Sequence, residues 1–432
     1  MKNDFLTALF GAFNEKLNYA VLRNFEGLPD SYEGRDIDLL IPKKDWQKFV
    51  PDFLALCDLH DCRILYTNRD NQFLTVVLCD SAAQVFQLDI QFNFAWMGVD
   101  LLDENDVLAH RVFSGKVWHL DKMYTFLPKY LYSRILGAKY PDKYADVKNA
   151  AFADSEKEIE NLLNTLSCGK GGFEFWERSG KWHLRLLALF AGMKRNFFRT
   201  VWRQTEFVLR YIADLFLRRG LLISFSGPDG CGKTTVIQLL MEHLEVNTPI
   251  LFHFRPTLLP NLGEVGHKAG VVKAVDRDFS KPHRSRRKGF LNSLVRLSYY
   301  TLDYIIGYAV KILPLRQRKH IVIFDRYFTD IIADSRRSSI YINVKFLAFW
   351  RHFIPACRYN IFFKVAPETI RSRKTEMEVS EMEEVYEKLE YLVSIDRRSY
   401  FIDNNSAPLD AVMKILDLLR NKQHTKYVKK LY

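Results

Sequence analysis

Gly227-Pro228-Asp229-Gly230-Cys231-Gly232-Lys233-Thr234 gathers three glycines, a lysine and a hydroxyl into one short run that satisfies GxxxxGK[ST]. Glycines let backbone N–H groups converge on phosphate oxygens, and a side chain at Gly230 or Gly232 would obstruct that approach. Lys233 suits the β- and γ-phosphates, and Thr234 offers its hydroxyl to Mg²⁺, with Thr235 following in the same turn. The apolar run from Leu221 to Phe225 predicts a strand before the loop, and "TTVIQLLMEHL" predicts a helix after it. The positive end of that helix would point at the same anion. A nucleoside-triphosphate site follows, with Gly227, Gly230, Cys231, Gly232, Lys233, Thr234 and Thr235 around ATP and Mg²⁺.

Two further stretches carry charge suited to moving a phosphoryl group. "IVIFDRYFTD" puts Asp325 at the end of an apolar strand, where a second carboxylate could order the Mg²⁺ shell, with Arg326 next to it. "PETIRSRKTEMEV" packs Arg371, Arg373 and Lys374 together after another strand. Cations over the transferring group would stabilise its spread charge and keep water away.

The elements that must position these residues read as β-loop-α from Leu221 onward. "LLISFSG", "PILFHF", "HIVIFD", "NIFFKVA" and "SYFIDN" are apolar on both faces, as a parallel sheet covered by helices on both sides requires. The expected organisation is an α+β domain over 1–165, a basic helical connector over 166–220, and an α/β domain over 221–432.

The series "GPDGCGKTT", "FRP", "DRY" and "APETIRSRK" resembles the thymidylate-kinase branch of P-loop kinases, from Leu221 to about Lys422. The resemblance implies that Asp229 contacts the acceptor's sugar hydroxyl and that Asp325 and Arg326 lie near Mg²⁺ and the acceptor phosphate. It further implies that Arg255 of "HFRP" touches the acceptor and that Arg371 and Arg373 are lid arginines. The wording departs from enzymes that phosphorylate thymidylate: "RPTLLPNLG" stands in place of Arg-Glu-Pro-Gly-Gly-Thr, and "DRYFTDIIADSRR" adds Asp330, Asp334, Arg336 and Arg337. It is similar to a divergent group often encoded among bacterial capsule and lipopolysaccharide genes. The implied activity is therefore ATP-dependent phosphorylation of a sugar or glycan precursor of surface polysaccharide. Asp229 or Asp325 would orient or deprotonate the alcohol. A nucleoside-monophosphate kinase is the alternative, with Arg255, Arg326 and neighbouring cations holding the acceptor phosphate. A non-catalytic ATP-binding module is the third reading.

Near the N-terminus, "YEGRDIDLLIPKKDW" sets Asp36 and Asp38 at i, i+2 on a strand, so both carboxylates project from one face. Asp89 of "VFQLDIQFNF" lies on a later strand, and three such acids could hold Mg²⁺ for nucleotidyl transfer. The pattern is similar to the polymerase-β type of nucleotidyltransferase fold. The small Gly-Ser loop of that family is missing, since Arg23 and Asn24 stand where it would be. A scaffold or binding role is the alternative to catalysis there.

The net charge is +12, and much of the excess sits in the connector, with ten Lys/Arg against three acids between Trp176 and Gly220. Arg195, Arg199, Arg203, Glu206, Arg210 and Asp214 share one helix face, and Phe197, Phe198, Val201, Trp202, Val208, Leu209, Ile212, Leu215 and Phe216 cover the other. Either this helix packs on its own domain with a solvated charged face, or residues 182–219 dock on an anionic membrane surface. No nucleic-acid motif accompanies the charge, so no nucleic-acid partner is expected. Six scattered cysteines without CxxC pairs predict free thiols. The N-terminus does not read as a signal peptide, and the expected location is the cytoplasm, at the inner face of the cell membrane if the helix docks. A homodimer is compatible with the sequence.

Overall fold

The computed structural model describes residues 4–31, 36–69, 72–82, 84–216, 220–244, 249–260, 289–317, 321–373 and 379–432. The chain divides into two compact units, Met1–Phe216 with Leu419–Tyr432, and Leu217–Leu418. This differs from the expected three-part division: the basic connector helices are part of the first unit, and residues 419–432 return to it.

In the first unit the strands are β1 (Ala20–Val21), β2 (Ile37–Leu40), β3 (Arg63–Arg69), β4 (Phe73–Cys79), β5 (Val85–Gln91), β6 (Phe94–Trp96), β7 (Val99–Leu102), β8 (Arg111–Phe113) and β9 (Trp118–Leu120). Seven form a mixed sheet of order β3-β4-β5-β2-β1-β9-β8, and β6 pairs with β7. β3, β4 and β5 run antiparallel, while β2 lies parallel to β5 with Asp38 directly opposite Asp89. Helices Asp4–Lys16 and Lys43–Leu59 meet through Phe13 and Phe49, whose rings are 5.3 Å apart. The C-terminal segment is tied in by the Trp46 indole, which donates to Leu431 O at 3.1 Å, and by Tyr66 against Tyr427.

A second core gathers helices Lys122–Leu136, Ala145–Leu166, Phe173–Arg178 and Lys181–Arg195 around the fully buried Trp176. The Trp176 indole donates to Leu163 O at 2.9 Å, which satisfies its one polar atom away from water. Helix Lys181–Arg195 contributes Leu184, Leu187, Ala188, Ala191 and Gly192 to the interior.

The following helix, Phe197–Phe216, is seated the opposite way round from an ordinary surface helix. Part of its charged face is tied to the fold: Arg199, half exposed, and Arg203 both pair with Asp100 of β7, the first at 3.4 Å. Thr200 on the same side is buried. Gly98 is what lets the backbones approach, because a Cβ there would lie 2.7 Å from the Arg203 carbonyl carbon, at a φ of +85°. Phe198 and Trp202 point to solvent, 83% and 71% exposed. One acid on β7 thus holds both arginines, Arg203 the more enclosed of the two, and the aromatic side chains opposite stay outside. The side chain of Arg210 lies outside the described residues.

In the second unit β10 (Leu222–Ser226), β11 (Ile250–His253), β12 (Val322–Asp325), β13 (Tyr359–Lys364) and β14 (Ser399–Asp403) form one sheet of order β11-β12-β10-β13-β14. All its pairings are parallel. These are the five strands expected from the apolar runs, and helices Lys233–His243, Phe290–Gly307, Val379–Ile395 and Pro408–Leu431 connect or follow them. β10 is central, with later strands added on both sides, so the carboxyl ends of β10 and β12 open where a doubly wound sheet binds ligands. Among the described residues no helix is long and apolar enough to cross a membrane.

Candidate active site

The loop after β10 folds as its glycines require. Gly227, Gly230 and Gly232 all have positive φ, and a Cβ at Gly227 would meet Cys231 Sγ at 3.0 Å and Phe363 O at 3.3 Å. Cys231 is buried beneath the loop, and its carbonyl accepts from Asn404 Nδ2 at 2.7 Å. Lys233 is buried, and its ammonium donates to Gly227 O and Pro228 O, both at 2.8 Å. A cation is thereby stored on the loop's own carbonyls, inside the cradle. Thr234 and Thr235, by contrast, are exposed at the start of helix Lys233–His243.

Asp325 ends β12 directly opposite Phe225, and Arg326 N donates to Phe225 O at 2.8 Å, fixing the pair beside the loop. Asp325 Oδ1 is buried without a hydrogen-bond partner among the described residues, and its Oδ2 lies 3.4 Å from His253 Nδ1. An unpartnered buried carboxylate oxygen suits a hard divalent cation, which takes oxygen ligands.

Arg326 has a φ of +70°, a conformation that costs a non-glycine residue about 1–3 kcal/mol and must be held by its surroundings. Two carboxylates hold it: Asp330 at 2.9 Å, and Asp229 of the loop in a shorter contact. Arg337 binds the other oxygen of Asp229 at 2.5 Å. Burial alone would raise the Asp229 pKa, but Arg326, Lys233 and Arg337 outweigh it and bring the group down to about 2. With both oxygens bound by guanidiniums, Asp229 is better placed to orient a neighbouring group than to take a proton from one. Its neighbour Arg336 reaches Glu384 at 3.0 Å on helix Val379–Ile395.

Arg255 departs furthest from its expected role. It is 5% exposed, stacks over Tyr300 and donates to the fully buried Asp303 at 2.8 Å. Asp303 also accepts from the backbone N–H groups of Leu258 and Leu259, so this pair holds the turn after β11. Arg371 lies exposed on helix Pro367–Arg373. The side chain of Arg373, Lys374 and the segment 261–288 lie outside the described residues. Sequence reading noted Arg337 only as one of an unshared polar set; its link to Asp229 gave no local signal, since the partners are 108 positions apart.

The N-terminal acids also assemble. Asp36, Asp38 and Asp89 bring ligand oxygens within 4.8 Å of one another. Asp89 Oδ1 is buried and unpartnered among the described residues. Burial, with the charges of Asp38 and Asp36 adding, pushes the Asp89 pKa up to about 6. Arg23 pairs with Asp38 and lies 3.7 Å from Asp36, so a guanidinium already sits on the cluster.

No family model matches the chain. The thymidylate kinase of Caldanaerobacter subterraneus subsp. tengcongensis is 33% identical over 109 residues, which is 25% of this chain and 46% of that protein. The matched segment therefore spans less than half the length of that relative. A crystal structure of thymidylate kinase from Ehrlichia chaffeensis is similar at 18% identity and a TM-score of 0.32, over 46% of this chain and 98% of that one. The likeness to thymidylate kinases is weak and covers a quarter to half of the chain.

Proposed function

We propose that the second unit binds ATP with Mg²⁺ and transfers the γ-phosphate to a small anionic acceptor. The observation that carries this reading is the buried Lys233 ammonium held inside a glycine cradle on the carbonyls of Gly227 and Pro228. Burying a cation is costly unless it serves a partner, and phosphate oxygens are the partner that the surrounding backbone N–H groups suit. Thr234 and Asp325 would hold the Mg²⁺, which neutralises phosphate charge when bound.

Arg326 and Arg337 converge on Asp229 at the rim of the loop, so Asp229 aims two guanidiniums and does not act as a base. Guanidiniums recognise phosphate in the same planar way as carboxylate, which favours an acceptor that carries phosphate. A nucleoside monophosphate and a phosphorylated sugar of a glycan precursor both meet that requirement. Asp325 is the acid left to orient the acceptor hydroxyl or the cation. The similarity to a thymidylate kinase supports the nucleotide reading at the level of kinase chemistry.

The test is transfer of labelled γ-phosphate from ATP to thymidine monophosphate and, in parallel, to an envelope-glycan precursor fraction, with Lys233→Ala as the blank. Label in the nucleotide assigns the loop to nucleotide metabolism, and label in the glycan fraction assigns it to sugars. Transfer to neither, with ATP binding intact, would overturn the phosphotransferase reading in favour of a binding module.

For the first unit the nucleotidyltransferase-like reading rests on Asp36, Asp38 and Asp89, which could hold a divalent cation if Arg23 gives way.

A further inference from the structure

The first unit carries an apolar surface that its own fold leaves open. On helix Lys181–Arg195 the interior takes Leu184, Leu187, Ala188, Ala191 and Gly192. On the opposite side Trp182, Leu186 and Phe190 recur every fourth position, each more than half exposed. The next helix adds Phe198, Trp202 and Leu209, all exposed, because Asp100 holds its charged side. Two consecutive helices thus each present a stripe of large apolar side chains where a monomeric soluble surface ordinarily presents charge.

We propose that this face docks on the interface of a membrane containing anionic lipid. The charge around it selects that occupant. From Arg178 to Thr205 the sequence holds seven Lys/Arg residues and no acid. Arg199 and Arg203 pair with Asp100, while Arg185 and Lys181 lie 4.6 and 5.9 Å from the Trp182 ring centroid and Lys194 is exposed on the same helix. A second copy of the same face would bring cations of one sign together, whereas acidic headgroups would pair with them. The two indoles have the apolar body and polar edge that sit at headgroup depth. Since no described helix is long and apolar enough to span, both helices would lie in the interface.

The experiment is sedimentation of the full chain with vesicles of phosphatidylcholine alone and of phosphatidylcholine with phosphatidylglycerol. Binding to the anionic vesicles is expected, weakened by salt. The variant Phe198→Asp with Trp202→Asp should lose affinity on the order of a hundredfold, because two buried aromatic side chains are replaced by charges. Circular dichroism and thermal melting of that variant establish that it folds. If it does not fold, a milder variant decides: the quenching by brominated lipid seen in the native chain should fall when Trp182→Phe and Trp202→Phe are combined. No vesicle binding, or binding indifferent to these substitutions, overturns the proposal. A dimer in light scattering that the same substitutions dissociate, without vesicle binding, assigns the face to a second copy and overturns it as well.

Discussion

The Asp229 carboxylate and the Arg337 guanidinium, 108 positions apart in the chain, meet at 2.5 Å on the rim of the phosphate loop. With Arg326 on the other oxygen, the loop aspartate is bracketed by two cations before any ligand arrives. This rim of the loop is therefore organised around exchangeable ion pairs, and its charges can be tested one at a time.

Lys233→Ala should lower phosphoryl transfer by roughly 10²- to 10³-fold, the usual cost of removing one preorganised donor to a developing charge. Labelled-phosphate transfer measures the loss, and an unchanged melting profile shows that the loop's fold does not depend on the ammonium. Full activity in the variant would sink the site assignment.

Asp229 links stability to pH. Its folded pKa of about 2 lies below the ordinary 3.8, so its contribution is present above pH 4 or so and is lost as pH falls towards 2. The shift corresponds to about 2 kcal/mol. Asp229→Asn should cost that much at neutral pH in denaturant titrations, and the gap from the native chain should close in acid. A gap that is constant with pH would mean that the ion pairs are not what lowers the pKa.

Arg255 and Asp303 separate a folding role from a binding role. Removing one partner of a buried pair leaves an uncompensated charge, so Arg255→Ala should destabilise the second unit by roughly 3–5 kcal/mol. Asp303→Asn should be destabilising in the same direction. If Arg255→Ala instead melted normally and raised only the KM for the acceptor, the acceptor contact implied by the family resemblance would be restored.

Gly98→Ala should unseat helix Phe197–Phe216. The added methyl would press on the Arg203 backbone at a φ that L residues rarely adopt, a cost of roughly 1–3 kcal/mol. Hydrogen exchange should show protection lost in that helix and kept in the sheet of the first unit. Unchanged protection would show that the helix is not held through β7.

Mn²⁺ without nucleotide should raise the melting temperature of the first unit if Asp36, Asp38 and Asp89 bind a cation, and Asp89→Asn should abolish the rise. Asp36→Ala with Asp38→Ala should leave phosphotransfer by the second unit intact. Loss of transfer in that folded double variant would show that the two units share one chemistry.

The sheet of the second unit and its loop were legible because both are local signals: apolar runs of strand length, and glycines at fixed spacing. The acids of β2 and β5 were legible as strand residues, and the parallel register that sets Asp38 against Asp89 followed from the fold. The seating of helix Phe197–Phe216 was not legible. A period of 3.6 residues shows that a helix has two faces but not which one packs, and here Asp100, far away in sequence, decides it. Arg199 and Arg203 are for that reason poor targets for charge reversal in vesicle experiments, since changing them would dislodge the helix. The pairing of Arg255 was hidden for the same reason: a motif locates an arginine, while its partner Asp303 comes from a helix 48 positions on.

The return of residues 419–432 to the first unit sets an order of assembly during synthesis. The second unit has its full sequence once residue 418 has left the ribosome, whereas the first still lacks the segment that receives the Trp46 hydrogen bond and packs against Tyr66. The unit made first is thus the last to be completed, and until then Trp46 and Tyr66 lack the neighbours they have in the finished fold.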